Sequence, residues 1–205
     1  MSGLFVDTSA WWHWFSYTAG KSIENETLRA EAAAFGELYS FALSKANQPF
    51  LYNARIPLEL PHWLREDFDR LVKPHARFIP IPLSRCDSAY KADGSILHGG
   101  RMGGTLACVL SMDSYEHEKR LKEASLSHQH GHLYESHERR REFDVEHLES
   151  ALEADANIFV TTDISRIKWI ERAVELWPES EAVVAAARLC KIPSAALALL
   201  KEDRE

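Results

Sequence analysis

Short apolar runs alternate along this chain with longer stretches of helical periodicity. The first run, GLFVD, predicts a buried strand ending on Asp7, and the Thr8 and Ser9 that follow are good helix openers. In AWWHWFSY, Trp11, Trp14 and Phe15 recur at helical spacing, which predicts a helix with an aromatic core face. NETLRAEAAAFGELYSFALSKA is a strong helix former. PFLYNA and RFIPIP predict a second and a third strand. Between them PLELPHWLREDFDRLV is helical in pattern, with Pro61 punctuating its start. Late in the chain come a helix in VEHLESALEA, a strand in NIFVTT and a helix in RIKWIERAVELW. The last 25 residues hold a further strand and a closing helix, without clear internal boundaries.

Strands alternating with helices predict an α/β domain with a mainly parallel sheet. One domain spans residues 1–205, with an insertion at about 83–143 where the periodicity fades. Within it the glycine stretch 99–104 predicts a loop and the charged stretch 114–127 an exposed helix. The histidines at 128, 130, 132 and 137 have no matching cysteine pair, so a polar loop is favoured over a zinc site.

The strand NIFVTT stops on an acid, Asp163, and another acid, Asp144, opens the preceding helix. From Asp144 the helix descends roughly 15 Å at ~1.5 Å per residue. The strand then climbs back roughly 16 Å at ~3.3 Å per residue. Both carboxylates therefore return to the carboxyl end of the strand. Asp7 holds the equivalent place after the first strand, at the edge where open α/β sheets bind ligands. Three acids there repel one another unless cations neutralise them, and a divalent, oxygen-loving ion is the natural answer. On that basis Asp7→Asn is expected to relieve repulsion in the metal-free protein. The plainer alternative is that such aspartates only cap helices and turns.

Composition narrows the class. A formal net charge of −7 argues against a broad grip on nucleic acid, though not against a local basic rim. No apolar run approaches a bilayer span and the N-terminus carries no export signal pattern, so no membrane is expected and the cytoplasm is the default. Three cysteines, Cys86, Cys108 and Cys190, lack metal spacing and leave one unpaired, which disfavours a disulfide framework.

These residues resemble the PIN domain family of metal-dependent nucleases, which includes toxin ribonucleases of toxin–antitoxin pairs. LFVDTSAWW is similar to the family's opening strand, turn and helix. FDVEHLESALEADANIFVTTD resembles its later block, and IPLEL the segment that supplies a glutamate. The resemblance implies a three-layer α/β/α fold with the first and fourth strands side by side. It implies Asp7, Glu59, Asp144 and Asp163 as catalytic residues and ligands of Mg2+ or Mn2+. Thr8, Ser9, Thr161 and Thr162 would place hydroxyls near the ion or its water. Apart from the resemblance, the run Arg139, Arg140 and Arg141 directly precedes Asp144 and either holds phosphates on the rim or is a solvated charged face. His147 would orient Asp144 or merely cover its helix. The expected activity is hydrolysis of RNA phosphodiester bonds, with an antitoxin protein and further copies of the chain as partners. The alternatives are a noncatalytic nucleic-acid-binding or scaffold protein and, more remotely, a phosphoacceptor domain.

Overall fold

The central strand of the sheet is β1 (Leu4–Val6), every residue of which is buried. In the computed structural model, residues 3–46, 48–80, 89–90, 96–97, 144, 146–176 and 178–202 are described. After β1 come α1 (Thr8–Thr18), α2 (Glu26–Phe41), β2 (Phe50–Tyr52), α3 (Arg55–Glu59), α4 (His62–Asp67) and β3 (Ala76–Phe78). Two short strands follow, β4 (Ala89–Tyr90) and β5 (Ile96–Leu97). The second half holds α5 (residues 146–153), β6 (Ile158–Val160), α6 (Ile164–Leu176), α7 (Glu181–Leu189), β7 (Cys190–Lys191) and α8 (Pro193–Glu202).

The main sheet has five strands in the order β3-β2-β1-β6-β7, and each neighbouring pair is parallel. The fold is thus α/β, compatible with a three-layer arrangement. The first two connections run outward from β1 in one direction, and the chain then crosses to its other side. The order therefore reverses between β1 and β6, whose register pairs Val6 with Val160. Such a reversal leaves a crevice at the strands' carboxyl ends, because the flanking connections diverge there.

Close backbone approach holds β1 in place. Leu4 N donates to Pro49 O at 3.0 Å on one side, and Asn157 N donates to Gly3 O at 2.9 Å on the other. A Cβ at Gly3 would lie 2.6 Å from the Pro49 carbonyl oxygen, so only glycine fits at the entry to the strand. Beneath the sheet edge, Trp11 is fully buried, with the rings of Phe35, Phe50 and Phe68 edge-on at centroid distances of 5.0, 5.6 and 5.7 Å. The aromatic face of α1 is therefore core, as its spacing predicts.

Two expectations change. The helix expected across residues 57–72 is divided, because Leu60 precedes Pro61 and takes an extended ψ of 136°. Pro61 separates α3 from α4 rather than opening a single helix. The C-terminal segment also contains α7 ahead of its strand. Of the insertion at 83–143, the described part is the antiparallel pair β4–β5, with Ala89 opposite Leu97. The expected loop at 99–104, the helix at 114–127, the four histidines at 128–137, Cys86, Cys108 and Arg139, Arg140 and Arg141 lie outside the described residues. Among the described residues no helix is long and apolar enough to cross a membrane.

Gly3→Ala is expected to destabilise the protein by about 1–3 kcal/mol, the usual cost of forcing extra volume into a packed site. Chemical denaturation of the purified variant checks this. An unchanged midpoint would show that β1 and β2 separate freely at this point.

Candidate functional site

Asp7 occupies the N-cap position of α1, where its backbone carbonyl accepts from Ala10 N at 3.1 Å. Its side chain does not cap that helix. The carboxylate turns instead across the switch point toward β6. Ser9 Oγ donates to Asp7 Oδ2 at 2.5 Å, and Thr161 Oγ1 donates to the same oxygen at 2.9 Å. Both hydroxyls are themselves held from behind. Thr162 N donates to Ser9 Oγ at 3.3 Å, and Asp163 N donates to Thr161 Oγ1 at 3.0 Å. The backbone just past β6 thus fixes, through two hydroxyls, an acid carried by β1.

The other oxygen of Asp7 meets a residue that the sequence did not single out. Arg166 Nη1 lies 2.6 Å from Asp7 Oδ1, while Arg166 Nη2 pairs with Asp144 Oδ1. Asp7 and Arg166 are 1% and 7% exposed, so this is a buried ionic cluster. Asp7 Oδ1 and Arg166 Nη1 are partnered by this ion pair, whereas Arg166 Nε completes no hydrogen bond. The Arg166 guanidinium also stands over the Phe159 ring, 5.9 Å from its centroid.

Electrostatics separates the acids. Burial alone would raise Asp7, but the charge on Arg166 and the hydrogen bonds from Ser9 and Arg166 outweigh it and bring its pKa to about 2. For Asp144, burial prevails with help from the charges of Asp7 and Asp163, and it is pushed up to about 7 despite Arg166. Asp163 plays the plainer part foreseen for such residues. Its Oδ1 accepts from Ser165 N at 2.9 Å and Arg166 N at 3.2 Å, capping α6. Burial opposes the charge on Arg166, yet Asp7, Asp144 and Asp163 together raise its pKa and hold it cationic.

Glu59 faces the same edge because α3 is closed by Pro61 and its side chain is held at both oxygens. Thr8 Oγ1 donates to Oε2 at 2.5 Å, and His147 Nε2 lies 3.0 Å from Oε1. The tautomer of His147 follows from Asn53. Asn53 Oδ1 accepts from Arg55 N and Ile56 N, so its amide group faces Ser150 Oγ at 3.0 Å and His147 Nδ1 at 3.1 Å. His147 Nδ1 therefore accepts, and Nε2–H donates to Glu59. His147 is fully buried and orients Glu59, rather than orienting Asp144 by hydrogen bonding or covering its helix.

Asp7, Glu59, Asp144, Asp163, Thr8, Ser9, Thr161 and Thr162 are thus all built around one end of the β1–β6 crevice. Thr162 bonds His13, whose Nδ1 lies 2.7 Å from its Oγ1. Burial lowers the pKa of His13, while the charges of Asp7 and Asp163 pull it back up. Sequence reasoning missed Arg166, His13 and Asn53. A signal for Arg166 existed: it lies in the first turn of α6, where the helix dipole disfavours a cation, so it needed acids elsewhere. His13 and Asn53 carry no comparable mark.

The donor set fits a hard divalent cation. It is made of carboxylate and hydroxyl oxygens, one of which, the buried Asp7 Oδ1, already faces a cationic group, Arg166 Nη1, at 2.6 Å. Among the described residues the Arg166 guanidinium stands against the carboxylates of Asp7 and Asp144, and the charge of Asp163 also acts on it. The side chains do not close around an ion as they lie: among the described residues, no three His, Cys, Asp or Glu groups are gathered to hold one. Arg166 stands between Asp7 and Asp144, which the sequence expected to share a metal.

Arg166 also reverses the expectation for Asp7→Asn. The Asp7 charge is partnered, not repelled, so the variant should lose on the order of 2 kcal/mol at pH 7, from a pKa brought to about 2 against 3.8. A depressed acid contributes stability above its unfolded pKa and loses it as pH falls. The difference between wild type and variant should therefore shrink to roughly half by pH 3. Denaturant melts in chelator at both pH values measure it, and a variant as stable as wild type at pH 7 would contradict the ion pair.

Comparison with known protein families, with curated proteins and with solved structures returns no match to this chain.

Proposed function

We propose that this protein is a Mg2+- or Mn2+-dependent ribonuclease built on a PIN-like plan. The observation that carries the reading is the orientation of Asp7. It sits where an aspartate would ordinarily cap a helix, yet its buried carboxylate is held across the switch point toward Thr161 and Arg166. Capping accounts for Asp163 Oδ1 and does not account for Asp7.

Asp7, Asp144 and Asp163 would hold the ion, with Glu59 as a further ligand or as the group that orients water. Bound there, the ion would supply charge neutralisation at the phosphate and a more acidic water. The chain's own part is positional. Ser9 and Thr161 fix Asp7, while Thr8 and His147 leave Glu59 little freedom to turn. RNA is the proposed substrate. The toxin role, with an antitoxin protein and further copies of the chain as partners in the cytoplasm, is part of the same proposal. A second reading, a noncatalytic nucleic-acid-binding protein, is favoured by Arg166, which already pairs with both Asp7 and Asp144.

The test is cleavage of single-stranded RNA with Mn2+, with Mn2+ omitted, and with Glu59→Gln. Metal-dependent cleavage that falls about 100-fold or more in Glu59→Gln is expected, the scale on which positioned acid–base groups act. RNA binding without cleavage at any Mn2+ concentration would favour the second reading.

A further inference from the structure

We propose that Arg166 is the resident cation of the acid cluster, and that a divalent ion enters by exchanging with its guanidinium. The inference rests on the cation-site reading above and adds a named competitor to it.

The contacts of Arg166 are what make exchange reasonable. A guanidinium that serves only to stabilise a fold is best satisfied by a bidentate fork on one carboxylate, with its remaining donors also bonded. Arg166 is instead divided between two carboxylates, Asp7 and Asp144, at 7% exposure. Nη1 meets Asp7 as an ion pair and Nη2 meets Asp144, while the buried Nε completes no hydrogen bond. A buried network left partly unsatisfied forfeits much of what its charges would otherwise contribute.

Position points the same way. Arg166 is the third residue of α6, and its own N–H belongs to the helix end capped by Asp163. A cation in a first turn is opposed by the helix dipole, so the acids, with the Phe159 ring beside them, retain this one. A doubly charged ion would meet the same carboxylates with twice the charge and with geometry that accepts separate oxygens. Exchange forms and breaks no covalent bond: one guanidinium leaves the Asp7 and Asp144 oxygens as one ion arrives.

Calorimetric titration with MnCl2 compares wild type with Arg166→Met, which keeps length and removes charge. The variant should bind Mn2+ about tenfold more tightly, or better. Equal or weaker binding by the variant would overturn exchange while leaving the cation site standing. Binding by neither protein would overturn both. Because Arg166→Met takes the partner from the buried Asp7 and the half-buried Asp144 and so endangers folding, wild type is also titrated with MgCl2 and followed by 15N NMR. The Arg166 Nε–Hε signal, assigned with Arg166→Lys, should shift saturably and exchange faster with water. A fixed Arg166 signal beside a shifting Thr8 amide would overturn exchange alone, and a site with no shifts would overturn the cation reading as well.

Discussion

Burying Asp7 as an anion is the constraint on which the rest of the site depends. At 1% exposure its carboxylate has lost its hydration, and only charge or hydrogen bonds from the protein can replace it. The structure supplies both. Ser9 and Thr161 donate to one oxygen, and Arg166 stands against the other. Each of these partners comes from a chain segment flanking the β1–β6 junction. The parallel pairing of Val6 with Val160 therefore has a chemical consequence beyond sheet stability. It places the hydroxyls of one strand end over the acid of the other.

A second layer works at longer range. Asn53 opens α3 with its carbonyl oxygen and presents its amide to His147, which in turn donates to Glu59. Every member of this relay is fixed by the one before it, and Asn53 and His147 are fully buried. The proline after Leu60 ends α3 just beyond Glu59, so the glutamate lies in the last turn of a short helix. Orientation of Glu59 thus depends on residues from α1, the turn after β2, α3 and α5 together.

What could be read from the sequence was whatever depends on periodicity and chain length. The aromatic spacing of α1, the parallel α/β plan and the return of Asp144 and Asp163 to one edge all follow from residues near each other in the chain. The division of the helix at Pro61 was also implicit, since the residue before a proline avoids helical backbone, but the apolar period ran through it and was given more weight. The role of Arg166 was hidden because its partners are 22 and 159 positions away, at Asp144 and Asp7. His147 turned toward Glu59 rather than Asp144 for the same kind of reason: its neighbour in space comes from α3, not from its own helix.

The central claim is that the β1–β6 crevice is a cation position, filled by Arg166 when no ion is present. Anomalous diffraction from crystals soaked in Mn2+ addresses it most directly. The account predicts a peak touching Asp7 and Asp144 or Asp163, with the Arg166 guanidinium withdrawn from Asp7. A structure with Arg166 still on both carboxylates, and no peak at that edge of the sheet in saturating Mn2+, would contradict it.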